Sequence, residues 1–153
     1  MTDWLDRVSP LVLVLLILLP WPALSETEAK ATVRIELTGL DQADGNIYIA
    51  VYDSEDTWLG DDTILQRKVV IAEALEGEVV RTELNLLPGE YAFSIFYDSN
   101  NNGKLDTNFI GIPKEPLALS NNAKPRYGPP RYEDAVFRVG DELVVQRLSI
   151  AAI

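Results

Sequence analysis

From Ala31 onward, apolar and polar residues alternate with a period of two. Val33, Ile35 and Leu37 interleave with Arg34, Glu36 and Thr38, the pattern of a strand with one buried face. Asn46 to Tyr52 is apolar on both faces and predicts a central strand. Lys68 to Ala72 and Val79 to Leu86 read as two further strands around Glu76-Gly77. Leu87-Pro88-Gly89-Glu90-Tyr91 then feeds Ala92 to Tyr97, placing Tyr91, Phe93, Ile95 and Tyr97 on one face. A Pro-Gly turn leading to a Tyr at a strand's start has the form of a tyrosine corner, whose hydroxyl caps a nearby backbone group. Ala135 to Val139 and Leu143 to Ile150 close the chain, with Gly140-Asp141 as the tight connection between them. About seven short strands, frequent turn signals and no long amphipathic helix predict an all-β, two-sheet antiparallel sandwich.

The first residues follow a different pattern. Leu11 to Leu19 is an unbroken apolar run, ended by Pro20-Trp21-Pro22 and followed by Ala23-Leu24-Ser25. The run is short for a bilayer core of about 30 Å, and the prolines and small-x-small pattern suit a cleaved signal peptide. Asp3 and Asp6 beside Arg7 make the leading segment less basic than such signals usually are. The division expected is residues 1–25 as signal and 26–153 as one β-sandwich domain, periplasmic or secreted. The alternative is an uncleaved N-terminal segment serving as an anchor.

Composition narrows the chemistry. The chain has no Cys and no His, which excludes disulfides, thiolate metal sites, Cys nucleophiles and Ser-His-Asp catalysis. Zinc and copper sites are largely excluded with them. A net charge of −11 argues against nucleic acid or an anionic membrane surface as partner, since both need a basic face. No membrane contact is therefore expected once the signal is removed.

One stretch concentrates oxygen-bearing side chains, Asp98 to Asn108. With Asp98 as position 1, Asn100, Asn102, Gly103, Lys104 and Asp106 fall at positions 3, 5, 6, 7 and 9 of a D-x-[DN]-x-[DN]-G calcium loop, Lys104 through its carbonyl. The glycine permits the sharp turn that points oxygens inward. Position 12 is Phe109 rather than the bidentate Glu of an EF-hand, and no helix flanks the loop. Water, Asn108 or Glu115 would have to replace the missing carboxylate, so weak calcium binding is expected, on the order of 10⁻⁴ to 10⁻³ M. The plainer reading is a polar turn held by Asx hydrogen bonds.

Tyr97 to Glu115 resembles a family of bacterial secreted domains of unknown function, family 2141. The resemblance rests on a D-x-N-x-N-G-K-L-D-x-N loop running into G-I-P-x-E, then Ser120-Asn121-Asn122. Gly89-Glu90-Tyr91 ahead of the loop and Asp134 to Phe137 near the end complete it, over about Thr32 to Ile150. Ala118-Leu119 stands where that family tends to have Gly-Phe, displacing an aromatic contact beside the loop. The resemblance implies an immunoglobulin-like or transthyretin-like sandwich behind a signal peptide, and no activity.

Two other places could bind something. Lys124 to Tyr132 carries Arg126, Tyr127, Arg131 and Tyr132 among prolines, a rigid platform for sugar or peptide or simply a stiff crossing loop. Trp58, in an acidic loop, could stack on a glycan or cover the core. The function expected is a non-enzymatic binding or accessory module for a glycan, peptide or protein partner. A carboxylate-dependent hydrolase using Asp98, Asp106 and Glu115, and a ligand-free envelope or assembly module, are the alternatives.

Overall fold

The computed structural model describes residues 29–40 and 44–151, so the expected signal segment lies outside the described residues. The strands are β1 (Ala31–Thr38), β2 (Asn46–Tyr52), β3 (Leu65–Val70), β4 (Leu75–Glu76) and β5 (Val79–Leu86). After them come β6 (Gly89–Asp98), β7 (Leu117–Leu119), β8 (Phe137–Val139) and β9 (Val144–Ser149). Two single-turn helices interrupt them, α1 (Ile71–Ala74) and α2 (Tyr132–Ala135). One sheet has the order β4-β5-β1-β9 and the other β3-β2-β6-β7, with β8 also paired to β6. Neither sheet closes on itself.

The period-two patterns place the core as expected. Val33, Ile35 and Leu37 of β1 are fully buried, facing Ile47, Ile49 and Val51 of β2 and Phe93 and Ile95 of β6 in one apolar cluster. Register holds these positions level, with Ile49 opposite Ile95 and Val51 opposite Phe93. Each such side chain contributes roughly 1.5–3 kcal/mol on leaving water. Phe93 also meets Phe137 edge to face, with ring centroids 5.5 Å apart. The tyrosine corner is present, the Tyr91 hydroxyl donating to the Leu87 carbonyl at 3.1 Å.

Four expectations are corrected. The described residues form nine strands rather than seven, the additional β4 and β7 being two and three residues long. The pairing is not wholly antiparallel, because β9 lies parallel to β1 from Val33–Val144 to Thr38–Ser149. Gly140-Asp141 does not turn a hairpin; β8 pairs with β6 and β9 with β1, so this link carries the chain from one sheet to the other. The same happens at Ile71. The β-branched run Val69-Val70-Ile71 suggests an unbroken strand, yet α1 turns the chain across the core edge and buries Ile71 completely.

β6 organises the second sheet. One edge pairs with β2 from Tyr52–Ala92 to Asn46–Asp98. The other edge is shared end to end, by β8 at Gly89–Tyr91 and by β7 at Ser94–Phe96. Ser120 fills the gap between them. Its buried hydroxyl accepts from the Phe93 amide at 3.0 Å and donates to the Ala135 carbonyl at 2.7 Å. Ser120→Ala leaves both groups unpaired in the interior and is expected to cost about 2 kcal/mol, measured by urea denaturation. A loss within error of zero would show that the gap is closed by other means.

The two asparagines that follow do comparable work. Asn121 and Asn122 adopt positive φ of 58° and 53°, which asparagine tolerates better than most residues. Asn121 exchanges hydrogen bonds with Gln146, and its amide donates to the Val136 carbonyl. Asn122 substitutes for a neighbouring strand on β9, donating to the Arg147 carbonyl and accepting from the Ser149 amide. The Ser-Asn-Asn segment is thus a clasp between the sheets.

Candidate functional site

The Asp98–Asn108 loop leaves the end of β6 beside the start of β2, where Asn46 stands opposite Asp98 in the ladder. Asp98 is completely buried. Its two carboxylate oxygens accept from the amides of Asn102 and Gly103, at 3.1 and 2.9 Å. Gly103 has φ of +75°, the left-handed turn predicted for the loop glycine, which brings its amide back onto Asp98. Asn101, also at positive φ, accepts from the Asn46 side-chain amide at 2.6 Å. The loop is thereby tied to the strand beside it.

Above this base the side chains at positions 3, 5 and 9 converge. Asn100 donates to Asp106 Oδ2 at 2.6 Å, and Asn102 donates to both Asp106 oxygens at 3.2 Å. The Asn100 and Asn102 carbonyl oxygens accept from the amides two residues on, as Asx turns do. Glu115 takes a different place from the one considered for it. It is 4% exposed, and its oxygens accept from Ser99 N and Asp106 N, each at 3.1 Å. It therefore joins the two ends of the loop. Asn108 sits beyond, and its side-chain oxygen accepts from the amides of Ile110 and Ile112, both at 3.0 Å.

The other candidates lie at the far end of β2, about 20 Å away by strand rise. Trp58 packs edge-on against Tyr52 and Tyr132, with centroids 5.2 and 5.9 Å away, and its indole donates to the Pro130 carbonyl at 2.8 Å. Arg131 pairs with Glu133 and Asp134 at the surface. Arg126 and Tyr127 stand exposed on the bend at residues 126–129. The fold joins Trp58 to Tyr132 and brings neither to the calcium-type loop.

Burial pushes the phenols of Tyr52 and Tyr132 above their ordinary range. The Tyr132 hydroxyl is enclosed and has no hydrogen-bond partner among the described residues. Tyr132→Phe removes an unsatisfied polar atom at constant shape, so stability should hold or rise by up to about 1 kcal/mol. A loss of more than that on thermal denaturation would reveal a partner for the hydroxyl.

Four residues that hold the site and the sheets together escaped the sequence reading. Ser120, Asn121 and Asn122 marked a resemblance without a role, and their partners lie up to 27 positions away. Asn46 belongs to the loop as well, and only its place at a strand start, opposite an acid, could have indicated it.

A family model described as an uncharacterized protein conserved in bacteria (DUF2141) matches residues 35–146. No curated protein and no solved structure matches the chain.

Proposed function

The chain belongs to the DUF2141 family of uncharacterized bacterial proteins, and from its own side chains we propose a non-enzymatic exported module with a weak calcium loop. The loop, Asp98 to Asn108, would fix the segment beyond it as a recognition surface for a glycan, peptide or protein. The observation that supports this reading is that the side chains of Asn100, Asn102 and Asp106 meet over a buried Asp98; the two amides face Asp106 with their nitrogens and would have to turn over to offer oxygens to a cation. Two Asp, two Asn and the Lys104 carbonyl make an all-oxygen set, which suits a hard cation and not zinc or copper. Among the described residues, no group of three or more Asp, Glu, His or Cys is placed to hold a metal, so the proposed set depends on Asn and carbonyl oxygens beside two Asp. Calcium, when bound, would supply a central charge to which the two amide side chains turn their oxygens.

The sandwich that goes with this reading is immunoglobulin-like or transthyretin-like, supported by the Tyr91 corner. Export is supported by the Leu11–Leu19 run and the Ala23-Leu24-Ser25 pattern. A carboxylate hydrolase would need an acid in an apolar cleft with a raised pKa. Here the Asp98, Asp106 and Glu115 carboxylates accept N–H bonds within one loop.

Calcium that binds only the folded loop stabilises the protein by RT ln(1 + [Ca]/Kd), about 1.4 kcal/mol at ten times Kd. The melting temperature should then rise by about 5 °C, and Asp106→Ala should abolish the rise. Equal rises in both proteins would reject the site.

A further inference from the structure

The largest apolar exposure in the described chain is concentrated on one small hairpin beyond the polar loop. Phe109 is 97% exposed, Ile110 64% and Ile112 42%. The hairpin is narrow, closed by the Thr107–Pro113 bridge and by the Lys114 amide donating to the Asp106 carbonyl at 2.8 Å. Four of its N–H groups are satisfied from within. Ile110 N and Ile112 N donate to the Asn108 side chain, Gly111 N to the Asn108 carbonyl, and Asn108 N to the Ile112 carbonyl. Pro113 has no N–H at all. These four amides therefore do not depend on water, which lowers the cost of bringing this backbone to a hydrocarbon boundary.

Charge around the hairpin departs from that of the whole chain. The chain carries −11, yet Thr107 to Lys114 contains no acid, and Lys104 and Lys114 are exposed on either side. Among the described residues no salt bridge engages either lysine. Asp106 and Glu115 adjoin the hairpin as well, but Glu115 is buried and Asp106 is held by Asn100 and Asn102, so the exposed charges flanking the tip are Lys104 and Lys114.

We propose that the Thr107–Pro113 hairpin is a lipid-interface anchor. Phe109 and Ile110 enter the acyl boundary of a phospholipid bilayer, while Lys104 and Lys114 remain at phosphate level, as amphipathic side chains do at such interfaces. This reverses the expectation, drawn from net charge, that the exported chain avoids membranes. The inference stands on the hairpin alone and holds whether or not the loop takes calcium.

The test uses the full chain carrying Phe109→Trp, with mixed phosphatidylcholine–phosphatidylglycerol vesicles. The fluorescence this variant adds over wild type should shift to the blue on vesicle addition and become shielded from iodide. Adding Ile110→Asp should weaken partition at least about tenfold, and Leu143→Asp, at an exposed leucine of the link between β8 and β9, should leave it unchanged. Repeating the titration in EDTA separates this result from the cation reading. Added fluorescence that stays as accessible to iodide as in buffer would overturn the proposal. So would a blue shift produced by raising protein concentration without vesicles, since the hairpin would then dock on a second copy.

Discussion

Asp98→Ala is expected to destabilise the protein by roughly 3–4 kcal/mol. The side chain is completely buried and its two oxygens each hold one amide of the turn, Asn102 at 3.1 Å and Gly103 at 2.9 Å. Hydrogen bonds to a charged group contribute about 1.5–3 kcal/mol each, and two on one carboxylate add less than fully. Against a total of about 5–15 kcal/mol for a domain, the loss is large. Asp98→Asn keeps one acceptor but turns an amide toward the second N–H, so it should recover about half. Urea denaturation would show a lower midpoint with unchanged slope, and hydrogen exchange at Asn102 and Gly103 should accelerate. A loss below about 1 kcal/mol would mean that the turn forms without its carboxylate.

Glu115→Ala comes next, at about 3 kcal/mol. Glu115 is nearly enclosed, and it bonds Ser99 N at one end of the loop and Asp106 N at the other. Its removal strands two amides and releases the loop from the segment that returns to β7. The effect should therefore be local as well as global. Amide order parameters from Ser99 to Lys114 should fall toward those of flexible loops, below about 0.6, while those of β1 and β2 stay near about 0.85. Glu115→Gln, which keeps one acceptor, should restore part of the order. A variant in which the loop stays ordered would remove Glu115 from the role of clamp.

What was legible in the sequence was local. Alternation in β1 gave the inward set Val33, Ile35 and Leu37, and the face shared by Phe93, Ile95 and Tyr97 on β6 is buried as read. The turn at Gly103 and the corner at Tyr91 also follow from neighbouring residues, because both are closed by bonds spanning five positions or fewer. The misread features depend on partners far along the chain. Parallel pairing of β9 with β1 joins residues more than a hundred positions apart, and no period in either strand specifies it. Glu115 looked like a spare carboxylate for an ion because its reach to Ser99 and Asp106 depends on how the chain returns to β7. Trp58 packs inward, the covering reading considered for it, but its partner could not be read locally, since its indole meets a carbonyl 72 positions away. Val69-Val70-Ile71 misled for another reason: β-branched residues favour a strand, but burial of Ile71 at the crossing prevailed.

The cation reading proposed above requires Asn100 and Asn102, whose nitrogens face Asp106, to turn their oxygens inward and join Asp98, Lys104 and Asp106 around one hard cation. The most direct measurement is a calcium titration of the ¹⁵N-labelled chain followed by NMR. Amide shifts confined to the Asp98–Asn108 loop and its clamp at Glu115, saturating near millimolar calcium and repeated only weakly by magnesium, are the result expected. Loop amides that stay put through saturating calcium, or shifts scattered over acidic residues of both sheets, would contradict it.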